Sequence, residues 1–465
     1  MRDPHQDPST SMLRIFPKSL LVNLGWTTIA YGIVQVLRLV NNVVLSRLLA
    51  PQLLGLMLIV NTIRIGIELL SDVGIVQNIV RNPRGDTPEF YDTAWVVTAV
   101  RGFILGALCF LLSDVAARFF ENPQLAVILP VASLFFMLTG LDSTGRGLLF
   151  KRGQIERLSV IEVGMAAFSV VVHIVLALIT PTIWALILGS LFVAAGMLCT
   201  SFLAVPGLRH RLRIDVSALR EMFHFGRWIF VSSVVYFAAM NFDRIYLAKE
   251  VPLALLGVFG IARTLADTIS AFVNRIGGTI LFPLVAAMTG SNAEIRGRLI
   301  RGRRIVLVAG AFGLALFTAL SDGIVGLLYD DRYLQAGEIL PILALGVWFT
   351  IIAGINDSIL VGLGHPKLAA AGNAAKLLTY IVGVPLAIHH GGFDAAVLVL
   401  SLGELVRYLV LWLLGRREGI GFVRDDVAAT LLFMAAVVGL RELLAAVGLT
   451  SGIEGLFPYL ARLLT

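Results

Sequence analysis

Charge is what this chain has least of. Asp, Glu, Lys and Arg together make up 14% of its 465 residues, against about a quarter in a soluble domain, so a soluble globule is excluded. The positive excess is dispersed over seven short segments, which argues against nucleic acid as a partner. Only two cysteines occur, Cys109 and Cys199, both inside apolar runs. They imply no disulfide framework, and each reads as a buried, inert thiol. The seven histidines are scattered, and the adjacent His389 and His390 have no companions that would complete a metal site. There is no Walker motif, no Gly-x-Gly-x-x-Gly loop beside a strand and no Ser/His/Asp arrangement. ATP hydrolysis is therefore unsupported, no catalytic residue and no cofactor is indicated, and the expected protein is not an enzyme. A small-residue cleavage site is missing after the first apolar run, which argues against a removed signal peptide.

What is present is length in hydrophobic runs. Hydrophobic residues make up 58% of the chain, and a bilayer span needs about 20 of them in succession. Twelve spans are expected, at 20–48, 53–80, 92–117, 125–149, 157–179, 182–205, 228–248, 253–287, 304–328, 337–362, 368–388 and 393–415. The segment 427–447 is long enough for a thirteenth, while Ile453 to Leu464 is short and suits the interface.

Lys and Arg sort by loop. The N-terminal segment and the even-numbered connections hold 23 of them, and the odd-numbered connections hold only Arg47, Arg118, Lys249 and Arg332. Cytoplasmic loops carry the positive excess, so the N-terminus is expected in the cytoplasm, with anionic membrane lipid as the partner of the basic loops.

The chain also repeats itself. A shift of about 202 brings LLG at 53–55 onto LLG at 255–257 and Asp72 onto Asn274. Further on, LSD at 112–114 faces LSD at 320–322, and Asp142 with Ser143 faces Asp357 with Ser358. Six spans are repeated as six, and because six is even both copies enter from the same side, as a parallel repeat. The expected fold is an all-α polytopic membrane protein of two six-helix lobes plus one or two C-terminal helices. Its parts are a cytoplasmic segment 1–19, an N-lobe 20–205, a connection 206–227, a C-lobe 228–415 and an extension 416–465. The centre of the connection, Asp215 to Phe225, reads equally as a short surface helix or as a plain charged loop.

Several stretches resemble a known family. Arg38, Asn41 and Leu48 in the first span, the LAPQLLGL turn, LLSDVGI at 69–75, NFDRIYLAK at 241–249, ILFPLVAAM at 280–288 and YDDRYLQAGEILPILA at 329–344 are similar to Wzx-type polysaccharide flippases. These belong to the multidrug/oligosaccharidyl-lipid/polysaccharide exporter superfamily. The resemblance covers nearly all of 15–420 and departs at the C-terminus, where the second extra helix of some members is truncated. It implies two six-helix lobes that open alternately and carry an undecaprenyl-diphosphate-linked glycan to the periplasmic leaflet of the bacterial inner membrane. Lipopolysaccharide or exopolysaccharide assembly, with a polysaccharide polymerase as partner, is the implied setting.

A diphosphate cannot cross hydrocarbon bare, because moving an unpaired charge out of water costs many kcal/mol. Ionisable residues inside spans are thus the candidates. Arg38, Arg64, Arg101, Arg263 and Lys376 are the expected substrate-binding cations, since Arg stays protonated and grips phosphate bidentately. Arg38, Arg101 and Lys376 have no acid three or four residues away, so each needs a partner from elsewhere or from the ligand. Glu68, Asp72, Asp267 and Asn274 are the expected coupling or ion-pair positions, with H+ or Na+ as the coupling cation. The eight acids and eight bases in spans balance, and Arg64 with Glu68, or Arg263 with Asp267, sit i, i+4 on one face. Plain structural ion pairs are therefore the alternative. At the level of function, a drug/cation antiporter of the same superfamily or a membrane polysaccharide polymerase are the rival readings. The antiporter would prefer an acidic cavity, and the polymerase would need larger outer loops than the chain supplies.

Overall fold

The computed structural model describes residues 18–69, 74–276 and 290–448, with isolated positions at 281, 284, 285, 288, 450 and 452. Side chains at 18–24, 223–233, 235, 236, 272–276 and 366 are outside that description, as are Ile453 to Leu464 in the expected interfacial piece.

Every described element is helical. In order these are α1 (Lys18–Leu48), α2 (Pro51–Leu69), α3 (Ile75–Arg81), α4 (Pro88–Leu111), α5 (Ser113–Phe119), α6 (Gln124–Ala132), α7 (Leu134–Gly140), α8 (Gly145–Lys151), α9 (Ile155–Ile179) and α10 (Ile183–Leu203). There follow α11 (Val216–Glu250), α12 (Leu253–Ile276), α13 (Asn292–Ala319), α14 (Ser321–Leu328), α15 (Gln335–Gly362), α16 (Pro366–Arg417) and α17 (Val423–Ala446). Among the described residues ten helices are long and apolar enough to cross a bilayer, or eleven if a bent pair counts as one span. Only helices satisfy all their own backbone groups in hydrocarbon, which is why the apolar runs can take no other form. Large apolar side chains such as Leu111, Ile179 and Leu203 are exposed on these helices.

Start signals are local. Pro51 opens α2, and Pro88 follows Thr87 at the head of α4, positions where a missing N–H costs nothing. Ser291 and Glu294 close a reciprocal capping box on α13. With 52 residues, α16 would run about 78 Å if straight, more than twice the hydrocarbon thickness. It folds instead at Gly392, whose φ of 72° and ψ of −162° only glycine adopts readily, so the helix supplies two spans. The expected fourth span is broken. α6 and α7 (124–140) meet α8 at 48° across Leu141 to Thr144, where Asp142, Ser143 and Thr144 compete for the backbone groups that a helix would use.

The chain divides into two compact units, residues 1–48 with 63–234 and residues 49–62 with 235–465. Unit 1 packs α1 along α9 and α4 against α7. Gly102 and Gly140 permit the second contact, because a Cβ on either would come 2.6 Å from the other's Cα. In unit 2, α15 is buried along almost its whole length, with α12 and α16 against it. α17 packs on α13 and is pinned near both ends. Asp426 pairs with Arg303 and accepts from Tyr408 at 3.0 Å, and the fully buried Arg441 grips Asp322 through two hydrogen bonds of 2.7 and 2.8 Å. Between them Trp348 stacks on Phe433 at 4.9 Å and donates to Thr430.

Candidate functional site

In unit 1 two adjoining hollows, of about 600 and 330 Å³, share Glu68, Thr98, Arg101, Thr139, Asp142 and Arg146 on their walls. The close α4–α7 approach places Arg101 opposite Thr139 and Asp142. Arg101 Nη2 donates to the Glu68 carbonyl at 2.7 Å, across 33 residues of sequence. One turn before Glu68, the Arg64 guanidinium lies 4.2 Å from the centroid of Phe135, a cation–π contact, and its Nε is buried without an acceptor. Phe135 itself lines the smaller hollow. At the other wall Arg146 Nη2 is 3.6 Å from Glu162 Oε1 and follows Asp142 by one turn.

The break at 141–144 is held from three directions. Trp95 Nε1 donates to the Leu141 carbonyl at 3.1 Å, the Ser143 amide donates to Ser201 Oγ at 2.8 Å, and Ser143 Oγ meets His210 Nε2 at 2.8 Å. His210 comes from the connection after α10. It stacks on Trp95 at 5.2 Å and meets the edges of Tyr91 and Phe202. Burial holds its imidazole below the ordinary range, against the pull of the Asp92 carboxylate 3.5 Å from Nδ1. The same segment is tied down by Arg211 N to Asp92 Oδ1 and by Asp215 N to Thr93 Oγ1.

Unit 2 holds a different arrangement. Asp267 accepts from Arg244 at 2.8 Å and lies 3.1 Å from Arg263 Nε, and Arg263 also reaches Asp243 at 3.5 Å. Lys376 donates to Glu404, Arg407 stands 3.6 Å from the same carboxylate, and Arg407 also pairs with Asp357. Four cations and four carboxylates thus close on one another. Low dielectric makes such pairing nearly obligatory, because one uncompensated charge would cost several kcal/mol.

The expected site residues therefore separate. Arg101 and Glu68 line the unit 1 cavity, and Arg64 lies just behind it. Arg38 is exposed on α1. Arg263, Asp267 and Lys376 belong to the unit 2 network, where the acid that Lys376 needs is Glu404, 28 residues on and brought back by the fold at Gly392. Asp72 and the side chain of Asn274 lie outside the described residues. Sequence reasoning did not single out Arg146, Glu162 or His210 as site residues. The repeat match of Asp142 and Ser143 with Asp357 and Ser358 was the available pointer to the break.

Among the described residues, ten apolar helices long enough to span a bilayer, enclosing ionisable groups and a cavity lined by both arginines and carboxylates, define a multi-pass membrane protein. The family model described as "Polysaccharide biosynthesis protein" matches residues 44–338, and the chain belongs to that family. It is 22% identical over 389 residues to the lipopolysaccharide biosynthesis protein WzxC of Escherichia coli (strain K12), covering 83% of this chain and 77% of the relative. It is 20% identical over 400 residues to the teichuronic acid biosynthesis protein TuaB of Bacillus subtilis (strain 168), covering 85% and 82%. In fold it is similar to the lipid II flippase MurJ in its inward closed conformation, with a TM-score of 0.72 at 12% identity over 94% of this chain and 95% of that one.

Proposed function

We propose that the protein flips an undecaprenyl-diphosphate-linked oligosaccharide repeat unit from the cytoplasmic to the periplasmic leaflet of the bacterial inner membrane, for surface or exopolysaccharide assembly. The observation that carries this reading is the cavity walled by Arg101 and Arg146 in a member of a polysaccharide biosynthesis family. The resemblance in the sequence supports the two lobes as 20–205 and 228–415 and alternating access as the mechanism. The loop asymmetry of Lys and Arg supports a cytoplasmic N-terminus.

Arg101 is the primary phosphate contact in this reading, with Arg64 behind it and Arg38 on the exposed face of α1. Arg263 and Lys376 reach a phosphate only by exchanging carboxylate partners for it, so re-pairing around Asp267 and Glu404 accompanies the transport cycle. A cation gradient drives the cycle, and a polysaccharide polymerase takes up the product. The test is translocation of a fluorescent undecaprenyl-diphosphate oligosaccharide in proteoliposomes, scored by access of an impermeant quencher. Transfer without any new glycosidic bond supports the reading. Glycan elongation, or drug efflux without lipid transfer, refutes it.

A further inference from the structure

The unit 1 cavity is electrically lopsided. Toward α2 and α4 stand one carboxylate, Glu68, and two guanidiniums, Arg101, bonded to the Glu68 backbone carbonyl, and Arg64, over the Phe135 ring. Toward α8 and α9 two carboxylates, Asp142 and Glu162, share the wall with a single guanidinium, Arg146, which is 3.6 Å from Glu162. At that second end two oxygens have no partner. Asp142 Oδ1 and Thr144 Oγ1 are both buried without a hydrogen bond, and Thr144 is only 8% exposed. Trp95, Ser201 and His210 hold the Leu141 carbonyl, the Ser143 amide and Ser143 Oγ, so none of these three groups is directed at the Asp142 or Thr144 oxygens.

We propose that Asp142, with Glu162 as its partner across Arg146, is a proton-binding site at the break in the fourth span. A proton on Asp142 removes the surplus negative charge of that end. Two unpartnered oxygens are too few for a metal cation, which takes six or more oxygen ligands in the case of calcium and an octahedral set for magnesium. The charged groups facing Asp142 are Arg146, Glu162, Arg101 and Glu68 across the cavity, with His210 reaching it through Ser143. Counting Arg64, the cavity with all its acids ionised is neutral, and protonated at Asp142 it carries one net positive charge.

This inference rests on the flippase reading for its consequence. The protonated cavity holds a diphosphate more tightly than the deprotonated one, so proton and anionic lipid bind with positive, reciprocal coupling.

The experiment uses the full chain in detergent with geranylgeranyl diphosphate as the probe. Affinity is measured at pH 6 and pH 8 for the native protein, for Asp142→Asn and for Glu162→Gln, in potassium and in sodium buffers. Native protein is expected to bind about tenfold more tightly at pH 6 than at pH 8, within the usual range of coupling between two sites. Asp142→Asn is expected to bind at both pH values as native protein does at pH 6, and Glu162→Gln to flatten the ratio in part. An unchanged pH ratio in Asp142→Asn overturns the proposal. So does a dependence on sodium in place of pH. The infrared band of a protonated carboxyl, present in native protein and missing in Asp142→Asn, decides the proton site alone. If the probe binds at no pH while that band is present, the flippase reading fails and the proton site stands.

Discussion

Lys376 and Glu404, 2% and 8% exposed, meet as a buried ion pair inside the folded-back α16, with Arg407 on the far side of the same carboxylate. Removing one member of such a pair strands the other. Glu404→Ala is expected to destabilise the protein by about 3 kcal/mol or more, seen as a fall in the melting temperature in detergent. The double change Glu404→Leu with Lys376→Met should recover most of that loss, because a neutral apolar pair has no stranded charge. A single variant that melts like the native protein would show the pair to be unimportant to the core.

Arg101 gives a sharper functional test. Arg101→Ala is expected to leave folded protein in the membrane and reduce lipid translocation at least tenfold, a loss of about 1.4 kcal/mol. Arg101→Lys should restore only part of the rate, because an ammonium cannot reproduce the bidentate fork. Native transport in Arg101→Ala would remove Arg101 from the site.

The His210 anchor predicts a pH dependence with a definite sign. Its folded pKa is held down by burial, against the Asp92 carboxylate, whereas the undocked segment titrates near 6.5. Above about pH 6.5 the imidazole is neutral in both states and docking is at full strength. As pH falls below that value the released segment gains the proton first, so docking weakens. Hydrogen exchange at the Arg211 and Asp215 amides, corrected for intrinsic rate, should accelerate as pH falls below about 6.5. In His210→Phe the acceleration should disappear.

Gly102 tests the packing that shapes the cavity. A Cβ there would lie 2.5 Å from the Phe136 carbonyl oxygen and 2.6 Å from Gly140 Cα, and neither is a flexible side-chain end. Gly102→Val is expected to cost about 1–3 kcal/mol and to lower the melting temperature together with the rate of lipid translocation. Gly323, with nothing within 4 Å, is the control site, where alanine should be tolerated.

Hydrophobicity and the internal repeat, both read along the chain, were enough to place the helices, their apolar character and the doubling of the fold. Backbone groups in hydrocarbon have no water to bond, so a run such as 335–362 can only be a helix whatever its neighbours are. The same argument says that charges inside spans need partners, and it brought Arg38, Arg64, Arg101, Arg263 and Lys376 into view as residues to account for. It could not say which partners. Arg101 bonds the Glu68 carbonyl 33 residues earlier, Lys376 meets Glu404 because Gly392 folds α16 back on itself, and His210 lies among Tyr91, Trp95 and Phe202. Ion pairs and cavities depend on distances of a few ångströms between segments remote in sequence. Those distances are set by helix packing, so the charge inventory belonged to the sequence and its pairing belonged to the tertiary structure.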